Sequence, residues 1–315
     1  MRRHDGLLLY MGMADAYAMA CEFLDRRDNA ATFGACETLT RYASNPVYPA
    51  HRAGFYTDDT EMSCANARVL IRLGTSAEDV DFADAYVAEF ARGGRRAGYS
   101  RGLQAVLERA VDGVDFLDRL GAPSAKNGAA MRAVPFGVLP KVSQVLEMAT
   151  RQARITHDTS EGRFSARAVA LMAHYALYES GNMAGILAYC LEHLPPEDVH
   201  VYGGVFRRRW DGGTVVERPS GTHWPLSTLA VTTVHAVADL VAHQTSLADM
   251  LSRAIRWGGD TDSVAAIAWG VASARFQDEP LPAFLERDLE QGSDHTGAAY
   301  LRNLGVELMD AYDFP

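Results

Sequence analysis

Helical periodicity dominates this chain of 315 residues, and it limits the possible folds more than any other feature. In SARAVALMAHYALY (165–178) and LAVTTVHAVADLVAH (229–243), apolar residues recur at i, i+3, i+4, i+7 and i+8, which is typical of one helix face. The segments EDVDFADAYVAEFAR, GLQAVLERAVDGVDFLDRL and SLADMLSRAIRW are also helical in composition. Alternating strand patterns are almost absent, and no repeat or low-complexity linker occurs. The sequence therefore predicts an all-α fold, with residues 1–315 forming a single compact multi-helix domain.

Two segments rich in Gly and Pro interrupt the helical patterns and are predicted to be loops. The first is GAPSAKNGAAMRAVPFG. The second, EHLPPEDVHVYGGVFRRRWDGGTVVERPSGTHWP, is the best place for a short strand.

Composition excludes several classes of protein. The net charge is −10, whereas a nucleic-acid-binding protein normally carries a basic excess, so we expect no nucleic-acid partner. No apolar run reaches the ~18 residues that a membrane helix needs, so we expect no membrane span. The four cysteines are scattered and form no CxxC pair, which favours reduced thiols in a cytoplasmic protein.

Two acidic clusters stand before helical patterns in distant parts of the chain: TDDT (57–60) and DTDS (260–263). Either cluster alone is compatible with helix capping. Asp58 precedes Glu61 by three residues, as in a capping box, and Asp260 could cap the helix that follows it. Capping remains the structural alternative for each cluster considered separately.

Considered together, the clusters contain more carboxylates than two caps require. If the two helix starts converge, Asp58, Asp59, Asp260 and Asp262 meet, and like charges so close would repel each other or take up protons. Hard divalent cations such as Mg²⁺ or Mn²⁺ neutralise such clusters and prefer oxygen ligands. Convergence would therefore create a site for two divalent cations.

The two motifs in this order resemble those of the ADP-ribosylglycohydrolases, a family with an all-α fold and a two-metal cleft. TDDT matches at residues 57–60, and GGDTDS matches at residues 258–263. The resemblance implies a set of metal ligands: Thr57, Asp58, Asp59, Asp260, Asp262 and Ser263.

A weaker match precedes the first motif. The segment MADAYAMACEF (13–23) resembles the GDALG-like helix and the Glu-Phe pair of the family, but Ala14 and Ala18 replace two glycines. The resemblance implies an acid–base role for Glu22, with Asp59 as the second candidate. The alternative for Glu22 is an ordinary solvated helix residue.

Further matches imply a ligand cleft. KNGAAMR (126–132) resembles a family loop in which Asn127, Gly128, Ala129 and Met131 would contact ribose or phosphate, although Lys126 replaces a glycine. His157, in a family-like TH segment, would contact the ligand as well. GYSRG (98–102) resembles a Gly-Tyr segment of the family and is interpreted as a turn.

The resemblance predicts a metal-dependent hydrolase that cleaves the glycosidic bond of an ADP-ribosyl compound, such as an ADP-ribosylated protein. A first alternative is a glycohydrolase of a small N-riboside or nucleotide conjugate, because the altered glycines suggest a reshaped pocket. A second is a non-catalytic, crystallin-like protein with the same fold.

Overall fold

A computed structural model describes residues 1–210, 216–217, 223–224, 228–293 and 295–314. The helices are α1 (Leu7–Ala18), α2 (Ala30–Glu37), α3 (Asp58–Leu73), α4 (Asp79–Arg92), α5 (Arg101–Leu107), α6 (Gly113–Arg119), α7 (Gly128–Met131), α8 (Val142–His157), α9 (Ser160–Tyr178), α10 (Gly185–His193), α11 (Pro196–Tyr202), α12 (Ala230–His243), α13 (Leu247–Trp257), α14 (Thr261–Ala272), α15 (Phe284–Arg287) and α16 (Ala298–Asp310). Short 3₁₀ turns occupy Met19–Cys21, Gly74–Ser76, Val134–Val138, Gly203–Phe206 and Ser273–Arg275.

The predicted all-α class is confirmed. The periodic segments form α4, α9, α12 and α13 close to their predicted bounds. The segment 102–120 forms two helices, α5 and α6. Asp112 caps the start of α6, because its side chain accepts a hydrogen bond from the Asp115 N–H. The only strands among the described residues form a two-residue antiparallel pair, β1 (Val216–Glu217) with β2 (His223–Trp224), inside the segment in which a strand was expected. The other predicted loop contains α7 and a 3₁₀ turn.

The core lies between α1, α9, α12 and α14. Every residue of α14 is buried, and its Trp269 donates a hydrogen bond of 2.8 Å to the Leu247 carbonyl at the start of α13. Small residues permit the close packing: a Cβ at Gly270 would lie 2.5 Å from Met11 Cγ, and a Cβ at Gly12 would lie 2.6 Å from Leu301 Cδ1. α1, near the amino terminus, contacts both α14 and α16, so it packs the start of the chain against the last two long helices.

The same packing brings the two acidic motifs together. α3 and α14 both contact α1 and each other, and residues at the amino-terminal ends of both helices line one cleft. The chain after α1 also meets the chain just before α14: the Phe23 N–H donates a hydrogen bond of 2.8 Å to the Gly259 carbonyl. Helix packing therefore places the segments around Glu22, Asp58 and Asp260 at one end of the core.

None of the described helices combines the length and the hydropathy that crossing a membrane requires.

Candidate active site

A cleft of about 940 Å³ opens where α3, α7, α8 and α14 meet. Its lining includes every predicted metal ligand, together with Glu22, Asn127, Gly128, Met131 and His157. Ala129 is different: it is fully buried, and its carbonyl accepts a hydrogen bond of 2.9 Å from Gln152 Nε2. Ala129 does not line the cleft, so its position does not support the predicted contact with a ligand.

The first motif is held by a carboxylate from another helix. Asp15 of α1 is fully buried, and both of its oxygens lie 3.0 Å from the Thr57 backbone N–H. It also accepts hydrogen bonds from the Thr60 N–H at 3.2 Å and the Thr60 hydroxyl at 2.6 Å. Asp15 thus fixes the start of α3. Its place in the family-like segment was visible in the sequence, but this contact with α3 was not.

Capping at α3 differs from the expected capping box. Thr57, not Asp58, is the N-cap residue, and its hydroxyl oxygen accepts a hydrogen bond of 3.3 Å from the Asp59 N–H. Glu61 does not fold back to the cap; it forms an ion pair of 2.8 Å with Arg96 Nε. The carboxylate of Asp58 is therefore not used as a cap, and it lines the cleft.

The second motif follows two glycines. Gly258 and Gly259 have φ values of 72° and 94°, in the region that favours glycine, and they turn the chain from α13 into α14. Asp260 occupies the N-cap position but makes no capping hydrogen bond. One of its oxygens instead accepts a hydrogen bond of 2.7 Å from Asn127 Nδ2. The proposed capping role of Asp260 is therefore not observed.

The carboxylates converge. One oxygen from each of Glu22, Asp260 and Asp262 lies within 4.8 Å of the other two. Oδ1 of Asp59 and Oδ1 of Asp262 are buried, and neither has a hydrogen-bond partner among the described residues. Buried polar atoms are nearly always paired, so two unpaired carboxylate oxygens facing a common acidic cluster indicate a place for cations.

The electrostatics of the cluster agree with its geometry. Burial, followed by repulsion from Asp15, raises the pKa of Asp58 to about 7, and burial raises the pKa of Asp260 to about 6. Burial and the neighbouring carboxylates hold the pKa values of Glu22, Asp59 and Asp262 well above their ordinary range. A positive charge in the cluster would stabilise the ionised forms, and an all-oxygen donor set suits Mg²⁺ or Mn²⁺.

The cleft lining also contains residues to which the sequence assigned no role in ligand binding. Gly98–Leu103 line the cleft, so the segment interpreted as a turn also shapes the site. Tyr99 is buried there, and its hydroxyl donates a hydrogen bond of 2.5 Å to Glu61. Val47–His51 also contribute to this lining, although no motif marked them.

Comparisons with known proteins agree with this architecture. The ADP-ribosylglycohydrolase family model matches residues 2–312. The human ADP-ribosylhydrolase ARH3 is 24% identical over 328 aligned positions, which cover 91% of this chain and 89% of ARH3. A solved structure described as an ADP-ribosylglycohydrolase-related protein complex superposes with a TM-score of 0.70, at 21% identity, over 98% of this chain and 97% of the other. That superposition shows a shared fold.

Proposed function

Because this chain belongs to the ADP-ribosylglycohydrolase family, we propose that it is a hydrolase that requires divalent cations and cleaves the glycosidic bond of an ADP-ribosyl compound. The observation that supports this proposal most directly is that carboxylates at the starts of α3 and α14 line one cleft, with two buried oxygens left unpaired. We also propose that residues 1–315 act as one functional domain in the cytoplasm.

The proposed ligands of two Mg²⁺ or Mn²⁺ ions are Thr57, Asp58, Asp59, Asp260, Asp262 and Ser263, all of which line the cleft. The set contains only carboxylate and hydroxyl oxygens, which hard cations prefer. When bound, such cations orient substrate hydroxyls and stabilise negative charge. The protein contributes the fixed helix starts that hold these oxygens in place.

Glu22 is the first candidate for the acid–base role. Its side chain is half-buried, and it follows the 3₁₀ turn Met19–Cys21. Its backbone is anchored, because Asn45 Nδ2 donates a hydrogen bond of 3.0 Å to the Glu22 carbonyl. A fixed backbone with an accessible carboxyl group suits proton transfer to or from water at the anomeric carbon.

Asp59 is the second candidate, and its surroundings favour cation binding instead. It is only 3% exposed, and one of its oxygens accepts a hydrogen bond of 3.0 Å from the Thr57 hydroxyl. Glu22 also lies close enough to Asp260 and Asp262 to share a cation with them. The assignment of the proton-transfer role to Glu22 therefore requires a test that separates turnover from cation binding.

The proposed substrates are an ADP-ribosylated protein or, alternatively, a small ribosyl nucleotide. The altered glycines do not favour the small molecule, because Ala14 and Ala18 are fully buried and neither lines the cleft. A crystallin-like structural role is disfavoured by the cluster itself, since unpaired buried carboxylates lower stability without contributing to the core.

The experiment measures ADP-ribose release from a modified protein, and ribose release from small N-ribosides, with Mg²⁺ or Mn²⁺ and with a chelator. We expect release that depends on the cation and is lost in Asp58→Asn and Asp260→Asn. Asp278→Asn, at an exposed position, is the matched control. Glu22→Gln should lose turnover but retain most of the cation affinity measured by calorimetry. Full activity of Asp58→Asn and Asp260→Asn would reject the proposed site.

A further inference from the structure

A chain of hydrogen bonds runs from the interior of the protein to His157. Arg132 is fully buried. Its Nε donates a hydrogen bond of 2.6 Å to Gln152 Oε1, and its Nη2 donates one of 2.7 Å to Thr156 Oγ1. Thr156 Oγ1 in turn lies 2.8 Å from Nδ1 of His157.

The chemistry of the guanidinium group fixes the direction of the hydrogen bonds that Arg132 makes. A guanidinium group has only donors, so Thr156 Oγ1 accepts from Arg132. The threonine hydroxyl has a single hydrogen, and within the described part of the chain Nδ1 of His157 is the acceptor that it reaches. A hydroxyl that uses its single hydrogen on this acceptor donates to Nδ1, and Nδ1 then carries a lone pair. The proton of the neutral imidazole is then on Nε2.

The surroundings also keep the ring neutral. Burial, together with the positive charges of Arg132 and Lys126, lowers the pKa of His157 to about 3. His157 lines the cleft, and within the described residues Nε2 has no hydrogen-bond partner. The edge of the ring that contains Nε2 lies over Gly128, where an added Cβ would be 2.8 Å from this nitrogen. Glycine at 128 thus leaves Nε2 room at the cleft wall.

We propose that Arg132 and Thr156 are positioning residues that hold His157 as the Nε2–H tautomer, so that it donates a hydrogen bond to an oxygen acceptor of the bound ligand. The identity of that ligand rests on the proposed function. The acceptor is a phosphate oxygen or a ribose oxygen, because both present a lone pair to an N–H group. In this tautomer His157 offers no free lone pair, so it is neither a general base nor a cation ligand.

The tautomer can be measured directly in the protein without ligand. Long-range ¹H–¹⁵N spectra of the imidazoles should show Nε2 of His157 protonated and Nδ1 unprotonated, without change over about pH 5 to 8. Protonation of Nδ1 in the wild type, or formation of imidazolium in this interval, would overturn the proposal. This measurement does not depend on any enzymatic activity.

Variants on α8 test the positioning role. Thr156→Val keeps the shape of the side chain but removes the hydroxyl, so we expect a mixture of His157 tautomers. Because one hydrogen bond to the ligand is then weakened, KM should rise about tenfold, with a smaller change in kcat. Thr156→Ser should restore both the spectrum and KM. Thr150→Val is the matched control, since Thr150 Oγ1 also accepts from an arginine, Arg167, at 3.2 Å but does not line the cleft.

The outcomes separate this inference from the proposed function. A Thr156→Val protein whose spectrum and KM match those of Thr150→Val would refute the positioning role. Absence of turnover in the wild type would reject the proposed function, and the spectra of the ligand-free protein would then still decide whether the tautomer is held as described.

Discussion

Asn127 Nδ2 lies 2.7 Å from an Asp260 oxygen and 3.1 Å from Thr233 Oγ1, and it joins the loop before α7 to the acidic start of α14. The amide thus orients a carboxylate of the proposed cation site without belonging to the acidic cluster. Groups that orient metal ligands in this way commonly change metal affinity by one to two orders of magnitude when they are removed.

Asn127→Ala should therefore weaken the binding of Mn²⁺ by roughly tenfold or more, because Asp260 loses its donor and rotates more freely. Isothermal titration calorimetry measures the affinity. Asn303→Ala, at an exposed position of α16, is the control and should bind as the wild type does. Equal affinity in both variants would show that Asn127 does not orient Asp260.

Divalent cations should raise the thermal midpoint of the wild type. A ligand at about 100 times its Kd stabilises the folded state by roughly 2.7 kcal/mol if it does not bind the unfolded chain. In the presence of a chelator, Asp262→Asn should have a higher thermal midpoint than the wild type, because the substitution removes negative charge from the cluster. Added cation should raise the midpoint of this variant by less than it raises that of the wild type. Differential scanning calorimetry measures both effects, and Asp278→Asn should behave as the wild type. A large cation-induced shift in Asp262→Asn would contradict the assignment.

Tyr99→Phe should change both the shape of the cleft wall and the free energy of unfolding. The lost hydroxyl donates to Glu61, which also pairs with Arg96, and hydrogen bonds to charged groups contribute about 1.5–3 kcal/mol. We expect a lower free energy of unfolding in urea and a KM raised several-fold. In the control Tyr178→Phe, the lost hydroxyl donates to the Val138 carbonyl at 2.6 Å, so stability should fall while KM stays constant. An unchanged KM in Tyr99→Phe would show that this contact does not shape the site.

His4 should make stability depend on pH. It is buried, its Nε2 lies 2.8 Å from Ser273 Oγ, and burial lowers its pKa from 6.5 to about 4. Between about pH 4 and 6.5 the unfolded state therefore binds more protons than the folded state. The contribution of His4 to the free energy of unfolding is complete above pH 6.5 and is lost as the pH falls towards 4. The full loss is roughly 3 kcal/mol by linkage.

The measurement compares the wild type with His4→Gln by urea unfolding across this interval. The difference in free energy of unfolding between the two should shrink as the pH falls. His200→Gln, which changes an exposed histidine, is the matched control. A constant difference for His4→Gln would mean that His4 titrates normally.

Local sequence determined the helices and the acidic character of two helix starts. Apolar spacing in 165–178 and 229–243 predicted α9 and α12, because burying one face of a helix leaves a period of about 3.6 residues in the chain. The TDDT and GGDTDS motifs could likewise be identified from adjacent residues alone, and the family resemblance followed from them.

Which side chains meet depends on the packing of the helices. Thr57 caps α3 in place of Asp58, and Asp15 reaches α3 from α1. Ala129 is buried, although Gly128 and Met131 line the cleft. The direction in which a side chain points depends on how its helix rotates and packs against others, and sequence spacing does not specify that rotation across distant segments. The proximity of Asp58 to Asp260 depends in the same way on contacts between helices that are far apart in the chain.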